Sequence, residues 1–262
     1  MKIKWYLLVL MGFMFVACEN DDEPEVVTPW YEDTATLRAD FLHSLADAQT
    51  PEASDISTTL MPIIESNNEL EWKMVDGKKM VLVCAFMTQD DLRFWAATDV
   101  YRLTKQTGLW VSIPAEWGHK AKEFEGLDSV AARYRMVQML GLTPDCKYDT
   151  VVEFYIDPSD VFRPSADPSI STTTCGLEFP SWADADYTVG ETNFREWFAY
   201  QKSMAYVGDY ACPWTQLGYT YDWHHSANKQ GLSEYVASFH TQAFIKVRQG
   251  CWTFIKKHIH KK

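Results

Sequence analysis

Two carboxylates, Asp222 and Glu234, fall where a β-hairpin would set them side by side. The segments are PWTQLGYTYDWHH (Pro213 to His225) and GLSEYV (Gly231 to Val236). Alternate side chains of a strand share a face. Tyr219, Tyr221 and Trp223 then form an aromatic contact face, and Thr220, Asp222 and His224 lie opposite. With Ser226 to Gln230 as the loop and no bulge, 225 pairs with 231 and 222 with 234. Cross-strand Cβ atoms in such a pair lie ~5 Å apart. Like charges that close call for a cation, a shared proton or an arginine between them. Arg163 and His224 are the residues of that kind at hand. The cluster reads as an acid–base or charged-ligand site, or as a solvated polar face over an aromatic core.

Arg163 lies in IDPSDVFRPSADP (Ile156 to Pro168), where three prolines restrict the backbone. Its guanidinium is a planar fork suited to carboxylate or phosphate. Asp157, Asp160 and Asp167 are equally placed to hold it internally. Other chemistries lack their motifs. Neither G-x-S-x-G nor H-E-x-x-H nor a glycine-rich phosphate loop occurs. His224 and His225 are adjacent, so on a strand their rings point to opposite faces. No metal and no cofactor is expected.

The elements that must carry these residues follow from hydrophobic period. Asp33-Thr34 caps a helix with Leu37, Phe41, Leu42 and Leu45 on one face, and a second helical stretch runs near Ile56 to Ile64. Glu69 to Val75 and Lys78 to Met87 flank Asp76-Gly77, a hairpin signature. Thr98 to Leu103 and Leu109 to Ile113 suggest another hairpin around Gly108. Helices are expected at Ala115 to Phe124, at Asp128 to Leu140 with Asp128 as cap and Gly141 as stop, and at Glu191 to Met204. Thr150 to Ile156 reads as a buried strand, and residues 157–189 as a long loop region. The fold class is α+β, a mainly antiparallel sheet built from hairpins with helices packed on it.

At the N-terminus, Lys2 and Lys4 precede an uncharged run from Trp5 to Ala17 that stops before Cys18. The run would span ~20 Å as a helix, short of a ~30 Å bilayer core, so it reads as an export signal. A cysteine just after the cut marks lipidation. The expected organisation is a signal peptide at 1–17, an acidic tether at 18–31, one domain at 32–240 and a basic tail at 241–262 that frays into solvent. A formal charge of −12 argues against a nucleic-acid partner. With Cys18 lipidated, Cys84, Cys146, Cys175, Cys212 and Cys251 remain. Cys84 reads as a buried hydrophobe, and one bridge among Cys146, Cys175 and Cys212 is open.

The acidic stretch after Cys18 resembles the tethers of Bacteroidota lipoproteins, which implies an outer-membrane anchor facing the periplasm or the cell surface. F-R-P-x-x-D-P, P-W-T-x-L-G-Y-T-Y-D-W and G-L-S-E-Y-V, between residues 80 and 237, are similar to the marks of an exported bacterial family. That resemblance implies a shared fold and no particular chemistry. The order Arg163, Ser171-Thr172-Thr173-Thr174 and Glu234 resembles that of ADP-ribosyltransferase-like folds, where the arginine steadies NAD and the glutamate orients the attacked ribose. The reading is therefore a lipid-anchored envelope module, binding or structural, that recognises a peptide or glycan through the 157–189 loop region and the aromatic hairpin. The alternative is an extracytoplasmic enzyme using Arg163, Asp222, His224 and Glu234.

Overall fold

A computed structural model describes residues 29–209 and 211–259. Cys18, the signal segment and tether residues 18–28 lie outside the described residues. The Asp33 side chain accepts from the Thr36 N–H and opens α1 (Thr34–Asp47), as its sequence predicts. Leu37 and Phe41 face the core, whereas Leu42 stays exposed. Residues 56–64 form an irregular strap rather than a second helix. Their N–H groups are taken from outside: Leu60 donates to Thr173 O, Ile63 to Ile170 O and Met61 to Ser233 Oγ.

β1 (Trp72–Val75) turns into β2 (Lys78–Met87) through Asp76 and Gly77, both at positive φ, the geometry that a two-residue hairpin turn demands. Next come α2 (Gln89–Ala96), β3 (Val100–Arg102), β4 (Leu109–Val111), α3 (Pro114–His119) and α4 (Ser129–Met139). α2 opens with a Thr88/Asp91 capping box that the hydrophobic pattern alone does not reveal. The helix expected over Ala115 to Phe124 divides at Lys120, where a 3-10 turn, Ala121–Phe124, follows α3. Asp128 caps α4 by accepting from Val130 and Ala131 N–H. β5 (Thr150–Ile156) is buried at every position. β6 (Val161–Phe162), β7 (Thr188–Val189) and β8 (Thr192–Asn193) are short; α5 (Phe194–Met204), β9 (Tyr219–Tyr221), β10 (Gln230–Ser233) and β11 (Tyr235–Ala237) follow. The chain then continues into β12 (Gln242–Gly250) and α6 (Cys251–Ile259).

The fold is α+β with antiparallel sheets, as the period of the sequence predicts. A five-stranded sheet runs β1-β2-β5-β12-β3, and a three-stranded sheet runs β4-β11-β6. The Cys84–Ser112 bridge joins the two. Val81, Val83 and Ala85 of β2 and Val152, Phe154 and Ile156 of β5 form the main core with Tyr235 and Ala237. Cys84 and Val151 point the other way, into a second core with Trp117, Met136 and Phe254 from α3, α4 and α6. Cys84 is thus the buried hydrophobe its run suggests, and burial pushes its thiol up to about 12. β3 and β4 do not form a hairpin: β3 pairs with β12, and β4 with β11. No helix among the described residues is long and apolar enough to cross a membrane.

The largest correction concerns residues 241–259 of the tail expected at 241–262. Far from fraying, β12 fills the gap between β5 and β3, and α6 buries Cys251, Phe254 and Ile255. Lys257 of this expected tail reaches the buried carboxylate of Glu153 at 3.0 Å. Its neighbours supply apolar area on one helical face, and that outweighs the solvation of the lysines on the other. Deleting residues 242–262 should abolish cooperative urea unfolding and the near-ultraviolet circular dichroism signal. A solvated tail would leave both unchanged.

Candidate functional site

The hairpin expected to bring Asp222 and Glu234 together forms in another register. Gln230 pairs with Tyr221 and Ser233 with Tyr219, with a bulge between the two pairs. Asp222 N–H donates to Lys229 O, so its cross-strand neighbour is Lys229, at positive φ. Gly231 sits in the bulge where a Cβ would fall 2.2 Å from Thr220 Oγ1 and 2.3 Å from Met139 O. The close approach of two backbones, not the loop length, sets the register. Asp222 and Glu234 are therefore not a carboxylate pair.

Asp222 instead meets Arg135 of α4, a residue that sequence reasoning missed. Arg135 Nη1 and Nη2 donate to the two Asp222 oxygens at 2.8 and 2.6 Å, and both side chains are almost wholly buried. Glu123 adds a third contact at 3.2 Å. The signal was an arginine one position from Met136 on a helix with few polar positions to spare, which periodicity alone does not flag. His224, two residues past Asp222, accepts from Ser226 Oγ or donates to it at 2.8 Å and lies edge-on to Trp30. Because it lies beyond β9, its ring stacks on that of His225 at 4.5 Å and the two do not point to opposite faces. Burial first, then the Arg135 and His225 charges, lowers the His224 pKa.

Arg163 is fully enclosed. Its stem passes over Gly218, where a Cβ would lie 2.4 Å from Arg163 Cδ; Gly218 also has positive φ. The F-R-P and L-G-Y-T-Y-D-W segments thus interlock physically. Arg163 Nη2 donates to Met61 O at 3.2 Å, and the guanidinium stands 5.4 Å from the Tyr235 ring centroid. Its Nε and Nη1 have no hydrogen-bond partner among the described residues. Tyr235 also donates to Met61 O, while Met61 N–H donates to Ser233 Oγ. Ser233 in turn donates its N–H and Oγ to Glu116. Glu116, Ser233, Met61 and Arg163 are one buried polar chain that pins the strap.

Glu234, next to Tyr235 on the chain, lies on the other side, near Cys212 and Tyr206, whose acidities its charge would suppress. Its Oε1 has no partner among the described residues, and burial raises its pKa well above the ordinary carboxylate value. The aromatic contact residues are interior too. Tyr219, Tyr221 and Trp223 are buried. They donate to Asp55 O, Asp47 Oδ2 and Leu142 O at 2.8, 2.9 and 2.9 Å. A ring sealed in this way presents no face to a ligand.

Two surface cavities, of about 320 and 350 Å³, contain none of the four expected charged residues. The first is lined by Tyr31, Thr34, Arg38, Tyr134, Pro144 and Asp145 among others. The second runs along the strap and holds Asn67, Glu69, Glu116 and His119, with His119 Nε2 2.5 Å from Glu69 Oε2. Residues 30 and 31, assigned to the tether by composition, are part of a 3-10 turn at the first cavity. Tyr31 stacks on Tyr134 at 5.7 Å and 11°, and Trp30 meets both rings edge-on. A Trp-Tyr pair just before a helix cap was the available signal.

The five described cysteines are all free. Cys146, Cys175 and Cys212 sit in three separate apolar clusters, so no bridge forms among them. No group of three or more His, Cys, Asp or Glu among the described residues is arranged for a metal ion. No family model, curated protein or solved structure matches the chain.

Glu234 yields a test of its structural role. Its folded pKa is raised, so its contribution is neutral below ~4.3, the unfolded value, and turns against folding as pH rises towards the folded pKa. Glu234→Gln should therefore raise stability at pH 7 by roughly 1–3 kcal/mol. The gain should vanish near pH 4, as read by urea unfolding at both values. A loss of stability at pH 7 would show that the ionised carboxylate has a partner.

Proposed function

We propose that the protein is a lipid-anchored module of the bacterial cell envelope that binds a ligand and carries out no catalysis with the four charged residues named from sequence. The observation that carries this reading is their dispersal. Asp222 is neutralised by Arg135, Arg163 is spent on the strap, Glu234 is enclosed and His224 packs beside Trp30. An acid–base site needs its groups within reach of one reacting atom, in or beside a concave site. These groups line neither cavity. The same dispersal removes the support for an ADP-ribosyltransferase-like arrangement of Arg163 and Glu234.

The anchor rests on Lys2, Lys4, the apolar run Trp5 to Ala17 and Cys18, together with the resemblance of the acidic stretch to Bacteroidota lipoprotein tethers. An acidic spacer ending at Pro29 would hold the domain off the outer membrane with the first cavity close to the tether junction. The ligand is a peptide or a glycan, and no nucleic acid is involved, given a charge of −12.

Metabolic labelling with a palmitate analogue tests the anchor. Wild-type chain should take up the label and partition with outer membranes, and Cys18→Ala should do neither. Equal labelling of the two would overturn the assignment.

A further inference from the structure

We infer that the cleft between α1 and α4 binds a neutral glycan, an inference that rests on the binding-module reading above and names its ligand. The cleft measures about 320 Å³, at the small end of ligand pockets and suited to one or two sugar rings. Its walls combine two kinds of group. Tyr31 and Tyr134, stacked on each other, supply aromatic surface through the outer face of Tyr31 and the ring edges, and Trp30 extends it outward with 36 % of its surface exposed. Arg38 and Asp145 supply planar, multidentate hydrogen-bonding groups at the rim. They sit 3.6 Å apart, and their side chains are 61 % and 84 % exposed, so neither is committed to the other. Flat C–H faces of a pyranose stack on aromatic rings, while its hydroxyls pair with carboxylate and guanidinium edges.

Charge and shape select among ligands. Asp128 and Glu32 stand close enough to Tyr31 to act on its phenol and Asp145 lines the cleft, while Arg38 also lines it and the Arg133 guanidinium lies 5.3 Å from the Tyr134 ring centroid, so charges of both signs flank the cleft. With both signs present, a polymer of either charge gains little there. Peptides are held by an open strand edge, a helix groove or, when proline-rich, an aromatic-lined groove several residues long, and a cleft of about 320 Å³ is too short for the last two. Here the lining residues come from the 3-10 turn, α1, α4 and the loop at Pro144, with no strand among them. That leaves a short neutral saccharide as the occupant.

The test titrates the full-length chain in detergent with four neutral hexasaccharides, linked from glucose (α-1,4 and β-1,4), mannose and N-acetylglucosamine. Polygalacturonate and pentalysine serve as charged probes, and calorimetry and tryptophan fluorescence as readouts. At least one neutral hexasaccharide should bind, with affinity reduced about tenfold or more in Tyr134→Ala, Trp30→Ala and Asp145→Ala. Asp145→Ala guards against misfolding, because the side chain is solvent-exposed and its loss leaves the core intact. Binding that is indifferent to all three substitutions would overturn the site. Variant-sensitive binding of pentalysine or polygalacturonate instead would overturn the neutral-glycan inference and leave the binding module standing. Silence of every probe would overturn the neutral-glycan inference and leave the wider binding-module reading to its own tests.

Discussion

The Arg135–Asp222 pair holds α4 against the end of β9 with both charges almost entirely out of water. Such a pair adds little net stability over a matched apolar contact, because desolvation consumes most of the Coulomb attraction. What it contributes is position. With Arg135 turned inward, Tyr134 at the next helical position is turned towards the surface cleft. With Asp222 fixed, His224 comes to rest against Trp30. Thr220 Oγ1 to Met139 O at 2.6 Å and Trp223 Nε1 to Leu142 O at 2.9 Å clamp the same two elements above and below the pair. One desolvated ion pair thus helps to set the geometry of the aromatic-lined cleft between α1 and α4.

A second buried chain does the same for the strap. Glu116, Ser233, Met61 and Arg163 are linked by hydrogen bonds, and Tyr235 joins at Met61 O. Residues 56–64 would otherwise have little regular structure to hold them. Residue types that elsewhere perform acid–base chemistry are here consumed in joining irregular backbone to the sheets. The surface near α1 combines Tyr31 and Tyr134 with Arg38 and Asp145, and it is there that we propose a ligand binds.

Local signals were legible where one short segment decides its own conformation. Asp76-Gly77 specified its hairpin, Asp33 and Asp128 specified their helix starts, and the β-branched run Thr150 to Ile156 specified a strand buried on both faces. Features that depend on distant partners were not. The register of β9 and β10 hangs on the contact of Gly231 with Met139, ninety-odd positions away in the chain and invisible to a two-residue alternation. β12 carries Lys246 and Arg248 on a half-exposed face, which masks a central strand as a charged tail. Of the candidate site, Arg163 and Asp222 were recognised as unusual, but their partners Met61 and Arg135 have no motif. Tyr219, Tyr221 and Trp223 advertised aromatic contact and deliver it inward, to Asp55, Asp47 and Leu142. Trp30 and Tyr31, which lie at the surface, were hidden by the composition of the tether.

A double-mutant cycle on the unfolding free energy of Arg135→Met, Asp222→Leu and the two combined tests most directly whether these charges are internal partners. Each single substitution strands a buried charge and should cost about 3–5 kcal/mol, whereas the double variant should recover most of that loss. Additive losses, or single variants as stable as the wild type, would contradict the account.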